Sequence, residues 1–225
     1  ILKREFPGII IFTDVCLCAY TSHGHCGVID EENMEINVSE TLITLEKIAI
    51  SHAEAGVDYV SPSAMTRGQV GAIRKNLDKN GFKNTKIMAY SAKFCSNAYG
   101  PFRNIADSSP KFGDRKEYQL DFTNKEEAIK RAERDIKEGA DIVMVKPALW
   151  YLDIVKEIKE KSEVPISVYN VSGEYAMVKE GIRIGLWEEK KIVHEILSSI
   201  LRAGADYIIT YHAKEYSRWI NEGLF

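Results

Sequence analysis

The stretch IKEGADIVMVKPA, residues 136–148, decides the fold because two other stretches of the chain repeat its pattern. AEAGVDYVSPSAM spans residues 53–65, and LRAGADYIITYHA spans residues 201–213. Each copy has the end of a helix pattern, a glycine, a small residue, an aspartate and a short hydrophobic run. The glycine suits the left-handed conformation that ends a helix. The apolar run suits a strand buried on both faces. The three glycines are Gly56, Gly139 and Gly204.

Helix and strand patterns alternate outward from these copies. Helices are predicted at 40–55, 68–79, 124–138, 149–161, 174–184 and 189–203. Besides the three strands of the copies, strands are predicted at 8–13, 86–91 and 165–170. Six strands that alternate with helices predict a mostly parallel α/β fold.

Two architectures satisfy this alternation: an open six-stranded sheet and a (β/α)8 barrel that lacks two units. A complete barrel typically needs ~250 residues, and this chain of 225 residues opens directly on a strand. Barrels place their catalytic groups at the carboxyl ends of the strands. Polar residues stand at or just beyond six such ends: Asp14, Ser63, Lys93, Lys146, Asn170 and Tyr211. We therefore predict a (β/α)8 TIM barrel without its first two βα units, with residues 1–225 as a single domain.

The composition excludes several classes of function. The chain is 45% hydrophobic and 28% charged with a net charge of −3, so it has no electrostatic footprint for nucleic acid. No apolar run approaches the ~18 residues that span a bilayer, and no secretory leader opens the chain. Four cysteines, three of them clustered, do not make a secreted disulfide framework. These features predict a soluble, cytoplasmic protein.

Two lysines, Lys93 and Lys146, end apolar strands. A lysine buried without a partner tends to lose its proton, and a neutral amine can form a Schiff base with a carbonyl. Two such lysines at one barrel mouth would also lower each other's pKa. The alternative for any single lysine is a side chain that extends along the surface to water, which is hardest to sustain for Lys146 between IVMV and Pro147.

A long polar segment, residues 95–124, follows the first of these lysines. Loops of more than ~12–15 residues without secondary structure are usually functional or disordered. The segment carries two aromatic residues and three cations, which suggests a lid that clamps an anion. These residues are Tyr99, Phe102, Arg103, Arg115 and Lys116. A mobile surface loop is the alternative.

Ser172 lies in NVSGEYAM, residues 170–177, where a strand gives way to a helix. Its hydroxyl could cap the helix, which the local sequence favours. The same helix N-terminus could instead bind the carboxylate of a substrate.

Three cysteines lie within DVCLCAYTSHGHC, residues 14–26. Cys16, Cys18 and Cys26 could supply three thiolates and leave one position open, as in catalytic zinc sites. His23 or His25 could instead close the site as a fourth ligand. Reduced cysteines that only pack in the core are the third alternative.

Five motifs together resemble the porphobilinogen synthase (5-aminolaevulinate dehydratase) family, in its zinc-dependent branch. They are DVCLCAYTSHGHCGV, YSAKFCSNAYGPFR, GDRKEYQ, MVKPALWYLDIV and VYNVSGEYAM, and they occur in order along the chain. The resemblance implies a TIM barrel that condenses two 5-aminolaevulinate molecules to porphobilinogen with loss of two waters, in haem biosynthesis. It also implies a cytoplasmic homo-octamer that binds neither nucleic acid nor membrane.

The resemblance assigns roles to individual residues. Lys146 would form a Schiff base with the substrate that becomes the propionate side, and Lys93 with the one that becomes the acetate side. The three cysteines would bind zinc, and the two histidines would shape the turn or lie next to the zinc ligands. Arg103, Arg115 and Gln119 would surround the acetate-side substrate. Ser172 and Tyr211 would bind the carboxylate of the other substrate, and Asp14 and Ser63 would line the site.

The chain departs from the family pattern at two positions. Arg67 stands where an aspartate usually precedes the glycine, and Arg131 stands where many bacterial members have a magnesium ligand. We predict no allosteric magnesium at Arg131. The family's N-terminal βα units and arm are also expected to be absent. Two other functions fit the residues less well: a different Schiff-base aldolase, and a non-catalytic module stabilised by zinc.

Overall fold

The computed structural model describes residues 1–30 and 32–223 of the chain. The strands are β1 (Phe12–Val15), β2 (Ile29–Asp30), β3 (Glu35–Ile36), β4 (Tyr59–Pro62), β5 (Lys86–Lys93), β6 (Ile142–Lys146), β7 (Ile166–Asn170) and β8 (Tyr207–Thr210). The α-helices are α1 (Leu2–Glu5), α2 (Val38–Glu54), α3 (Gln69–Lys79), α4 (Gly100–Ile105), α5 (Lys125–Lys137), α6 (Leu152–Lys161), α7 (Ser172–Arg183), α8 (Glu189–Ala203) and α9 (Ala213–Asn221). Two 3₁₀ turns span Asn97–Tyr99 and Leu149–Tyr151.

Six strands form one parallel sheet in the order β1-β4-β5-β6-β7-β8. Spatial order follows chain order, as it does in a barrel built from successive βα units. The sheet is curled, as shown by Phe12 of β1 and Tyr207 of β8, which line the same cavity on its inner face. The predicted barrel-type α/β class is confirmed, as a sheet of six strands curled into a half-barrel. Strands β2 and β3 form a small antiparallel hairpin outside it.

The repeated aspartate joins each copy of the repeat to the strand before it. Its carboxylate accepts the backbone N–H of an isoleucine at the start of that neighbouring strand, and its own N–H donates to the same isoleucine's carbonyl. The N···O distances are 2.7 Å for Ile11 with Asp58, 2.8 Å for Ile87 with Asp141 and 2.8 Å for Ile166 with Asp206. The repeat therefore pairs the strands two by two at their amino ends.

The predicted boundaries hold at most elements and shift at a few. The three repeat glycines have φ of +87°, +102° and +118°, as the helix-ending role requires. The first strand begins at Phe12 and not at residue 8, and β5 continues to Lys93. The predicted lid loop 95–124 is not without structure, because it contains a 3₁₀ turn and α4, and Phe94 bridges to Leu120.

The core lies between the outer face of the sheet and the helices that cover it. Leu45 of α2, Ile73 of α3 and Ile87 of β5 are fully buried there, as are Val155 of α6 and Ile200 of α8. Core aliphatics of this size contribute roughly 1.5–3 kcal/mol each when buried. Among the described residues, no helix combines the length and apolarity needed to cross a bilayer.

Candidate active site

A cavity of about 190 Å³ opens at the carboxyl ends of the strands. The polar residues predicted for six strand ends do stand there, from Asp14 in β1 to Tyr211 just after β8. Of the residues predicted to bind substrate, only Gln119 does not line this cavity. Cys18 also lines it, whereas Cys16 and Cys26 lie behind the wall.

The two predicted lysines are neighbours across the sheet. Lys93 and Lys146 are register partners at the ends of β5 and β6. The buried Lys93 Nζ donates to the Ser63 carbonyl at 2.6 Å. Burial, and next the positive charge of Lys93, lower the pKa of Lys146 to about 7. A substantial fraction of Lys146 is therefore a neutral, nucleophilic amine near neutral pH.

A register shift in β5 lets two of its side chains reach the cavity together. Tyr90 and Lys93 are three positions apart, so on a regular strand they would point to opposite faces. The pairing of β5 with β6 shifts between Ala89 and Ala92. Such a bulge changes the direction of the side chains that follow it, and both Tyr90 and Lys93 line the cavity.

Three tyrosine rings surround the Lys146 ammonium group. Its Nζ lies 4.1 Å from the ring centre of Tyr169, 5.2 Å from Tyr90 and 5.3 Å from Tyr99. The ring faces favour the charged amine and so oppose the effect of burial. Tyr169 and Tyr90 are site residues that the sequence analysis missed, together with Val171. Alternation along β7 could have identified Tyr169, since Ser167 and Tyr169 share the inner face.

Tyr99 and Phe102 take different positions at the cavity. Tyr99 is buried, and its hydroxyl donates to the carbonyls of Phe94 at 2.7 Å and Lys146 at 3.2 Å. Phe102 is 46% exposed at the mouth. The first residue helps to build the wall, and the second is available to cover a bound molecule.

Arg103 brings unpaired donors to the cavity. Its guanidinium carbon lies 5.3 Å from the Tyr99 ring centre, and its Nε and Nη2 are buried without a partner among the described residues. Burial, and next the charge of Arg115, lower the pKa of Arg103. A desolvated cation with free N–H groups is a strong site for a carboxylate.

Arg115 and Gln119 lie beside it, both buried. Arg115 Nη2 donates to the carbonyls of Gly24 at 2.8 Å and Ser108 at 2.5 Å, while its Nε has no partner among the described residues. Both amide atoms of Gln119 likewise have none. Arg115 therefore joins the cysteine turn to the predicted lid and keeps one donor free.

Ser172 and Tyr211 also line the cavity. The local interpretation of Ser172 as a helix cap is wrong, because Val171 is the N-cap and Ser172 is the first residue of α7. The Ser172 hydroxyl accepts the Phe102 backbone N–H at 3.1 Å, which joins it to the lid helix α4. Tyr211 is 41% exposed, with its ring 6.3 Å from that of Tyr169. Both hydroxyls are available to a ligand in the cavity.

The three clustered cysteines could hold a metal ion. The sulfurs of Cys16, Cys18 and Cys26 all lie within 4.8 Å of one another, and those of Cys16 and Cys18 are 3.5 Å apart. The Cys18 hydrogen bond favours the Cys16 thiolate, but the contact with Cys26 and burial raise the pKa of Cys16 to about 12. Three thiols this close together, two of them buried, cannot all ionise without a cation, and a soft metal would supply that charge.

The neighbouring histidines form hydrogen bonds with other groups of the protein. His25 is buried, with Nδ1 3.1 Å from the Tyr118 hydroxyl and Nε2 3.0 Å from the Phe112 carbonyl. His23 Nδ1 accepts the His25 backbone N–H. In the part of the chain that the structure describes, the group within ligand distance contains the cysteines alone. The histidines shape the turn, and the fourth-ligand alternative has no geometric support.

Of the two departures from the family pattern, only Arg131 makes contacts near the site. Its Nη1 donates to the carbonyls of Met65 at 3.3 Å and Tyr118 at 3.2 Å, and its Nε lies 3.2 Å from Glu127. Arg67 is exposed. Arg131 thus ties α5 to the segment that carries Arg115, and the absence of magnesium there stays a prediction.

Comparison with known proteins gives one consistent family. The family model described as delta-aminolevulinic acid dehydratase matches residues 1–219. The enzyme of that name from Archaeoglobus fulgidus is 56% identical over 214 residues, which cover 95% of this chain and 66% of the relative. That from Synechococcus elongatus is 52% identical over 221 residues, covering 97% of this chain and 68% of the relative.

A solved structure is similar over the whole fold. Delta-aminolevulinic acid dehydratase (porphobilinogen synthase) from Toxoplasma gondii ME49, in complex with the reaction product porphobilinogen, superposes with a TM-score of 0.97 at 49% identity. The match covers 98% of this chain and 63% of that one. This chain spans about two thirds of the length of the curated relatives it matches.

Proposed function

The chain belongs to the delta-aminolevulinic acid dehydratase family, and from that premise we propose that it condenses two 5-aminolaevulinate molecules to porphobilinogen with loss of two waters. The observation that carries this proposal is the pairing of Lys93 with Lys146 in one cavity. A condensation through two Schiff bases needs two amines side by side, whereas an aldolase that uses one Schiff base needs a single lysine.

The polar groups that line the cavity suit two molecules of the same substrate in different orientations. Each molecule has a ketone for a lysine and a carboxylate for a polar group. We assign the propionate-side substrate to Lys146, with its carboxylate at Ser172 and Tyr211. We assign the acetate-side substrate to Lys93, with its carboxylate at the free donors near Arg103. Holding both in fixed poses converts an unselective encounter into an oriented reaction.

The lysine chemistry depends on the neutral form of the Lys146 amine. Its neutral amine adds to the ketone of the first substrate, and the adduct loses water to form the Schiff base. Lys93 binds the second ketone in the same way. Formation of the two Schiff bases expels the two ketone oxygens as the two waters. One C–C bond and one C–N bond then form between the substrates, and the two lysine amines leave as the C–N bonds of the Schiff bases break.

We assign zinc to Cys16, Cys18 and Cys26. A tetrahedral Zn–S distance of ~2.3 Å separates the sulfurs by about 3.8 Å, close to the 3.5 Å between Cys16 and Cys18. When bound, zinc would act as a Lewis acid toward the carbonyl of the second substrate. Cys18 in the cavity wall would direct this group to the acetate side.

The assembly proposal depends on the family alone, and the location proposal depends on the composition of the chain. We extend the proposal to a homo-octamer in the cytoplasm, with residues 1–225 as one domain of a TIM barrel. A mass measurement of the native assembly tests the oligomer directly.

The activity is tested with 5-aminolaevulinate, detecting the pyrrole with Ehrlich reagent and trapping the Schiff base with borohydride. We expect pyrrole formation, and a substrate adduct on Lys146 that the Lys146→Met variant loses. The matched control is Lys156→Met, which removes an exposed lysine from α6 and should leave both results unchanged. An adduct without pyrrole would favour another aldolase, and a protein with neither would contradict the proposal.

A further inference from the structure

We infer that Glu174 is a positioning residue for the Lys146 substrate site, acting through a buried hydrogen-bond network behind the cavity wall. This inference rests on the proposed function, since it concerns the three groups assigned to the propionate-side substrate. Glu174 itself does not line the cavity.

The Glu174 carboxylate joins two segments that each carry one of those groups. Its Oε1 accepts the backbone N–H groups of Ala148 at 3.0 Å and Leu149 at 2.5 Å, in the turn that follows Lys146. Its Oε2 accepts the backbone N–H of Val171 at 2.7 Å, immediately before Ser172. One rigid group therefore sets the spacing between the strand end that holds the amine and the helix start that holds the hydroxyl.

The network continues to the third group, Tyr211. Asn170 Nδ2 donates to Glu174 Oε2 at 3.2 Å, and Asn170 Oδ1 accepts the Thr210 hydroxyl at 2.9 Å. The Thr210 hydroxyl in turn accepts the His212 backbone N–H at 3.2 Å. Tyr211 lies between the two linked residues. Side chains from β7, α7 and β8 thus hold the ends of three strands in one arrangement.

A helix cap explains only part of this arrangement. A glutamate at the third position of a helix commonly accepts the N-cap N–H, which accounts for the bond from Val171. The bonds from Ala148 and Leu149 come from a segment 26 and 25 residues away and contribute nothing to the helix end. Glu174 is fully buried, and burying a carboxylate is costly unless its acceptor positions are filled. Here four N–H donors fill them.

The test compares Glu174→Gln with Glu180→Gln, which changes an exposed residue of the same helix that pairs with Arg183. Glutamine presents an NH₂ group to donors that need an acceptor, so the ends of β6 and β7 should separate slightly. We expect Glu174→Gln to slow borohydride trapping of the first substrate at Lys146 at least about tenfold, because small misplacements are expensive in oriented reactions. Glu180→Gln should trap at the wild-type rate.

A second variant separates positioning from folding. Thr210→Val removes only the link towards Tyr211, so we expect a higher KM with trapping at saturating substrate retained. Thermal unfolding and circular dichroism check that each variant is folded. A folded Glu174→Gln protein that traps at the wild-type rate would overturn the inference. If Glu174→Gln does not fold, an unchanged KM for Thr210→Val would overturn it. Failure of the wild-type protein itself to trap substrate would instead contradict the proposed function.

Discussion

At the scale of single residues, Lys146 carries two opposing influences. Burial and Lys93 lower its pKa to about 7, while the faces of three tyrosine rings favour its charged form. The neutral fraction of the amine should therefore rise as the pH rises through about 7. A protonated lysine cannot attack a ketone, so the rate of Schiff-base formation should follow the same curve.

We predict that Lys93→Met shifts this curve to higher pH. Removing the neighbouring positive charge raises the pKa of Lys146, because a like charge disfavours the protonated amine. The measurement is the rate of borohydride-trapped adduct at Lys146 between pH 5.5 and 9, roughly centred on that pKa. Lys86→Met, at the exposed start of the same strand, is the control. A midpoint that stays in place or moves down would contradict the role of Lys93.

Arg103 has opposite effects on the stability of the substrate-free protein, which it lowers, and on the binding of an anion, which it favours. Two of its nitrogen atoms are buried without partners among the described residues, which is unfavourable until an anion arrives.

We predict that Arg103→Met raises the KM for 5-aminolaevulinate about tenfold or more, the size expected for a lost charge-assisted hydrogen bond. The melting temperature of the substrate-free protein should stay the same or rise. Steady-state kinetics and thermal unfolding measure the two effects. Arg202→Met, an exposed change on α8, should alter neither. A loss of stability with unchanged KM would assign Arg103 to the fold alone.

At the scale of elements, the repeat explains how strands are paired. Each aspartate forms two bonds with one isoleucine of the preceding strand, so a short motif specifies both a neighbour and its register. The same side chain could not make this contact from a shifted strand, because alternate residues face opposite sides of the sheet.

We predict that Asp141→Ala lowers the free energy of unfolding by about 1–3 kcal/mol, the cost of leaving a buried N–H unpaired. The donor left without a partner belongs to Ile87, which is fully buried. Urea titration gives the difference. Asp153→Ala, at an exposed position of α6, should change little. An equal effect of both substitutions would show that the repeat aspartate has no special role.

At the scale of the whole molecule, the metal group lies where the core meets the cavity. Cys16 and Cys26 belong to the main buried cluster, and Cys18 lines the cavity. The three cysteines follow the carboxyl end of β1, and most of the core lies between the outer face of the sheet and its helices. Loss of the ion should therefore affect the cavity more than the fold.

We predict that chelation abolishes pyrrole formation while far-UV circular dichroism stays unchanged, and that zinc restores activity. A structural zinc would instead unfold the protein on removal. Cys26→Ser should lose the bound metal. Cys95→Ser should keep it, because that cysteine lies outside the group of three. Unfolding on chelation would favour the zinc-stabilised module.

Much of the fold and site could be predicted because those features are local. Alternating helix and strand patterns identified six parallel strands, and the strand-end rule placed Lys93 and Lys146 at one cavity. Three features escaped this reasoning. Ser172 pairs with the backbone of Phe102, the bulge in β5 lets Lys93 share a cavity with Tyr90, and Glu174 joins two distant turns.

The sequence by itself determined which residues stand at the strand ends and which glycines end the helices that precede the repeated strands. Helix ends and strand periodicity depend on neighbours along the chain or on a repeated pattern. Only the tertiary structure decided which of those residues share a cavity, which residue is the N-cap of α7, and which buried carboxylate orders the site. These outcomes depend on the curl of the sheet and on hydrogen bonds between segments far apart in the chain, which no local pattern contains.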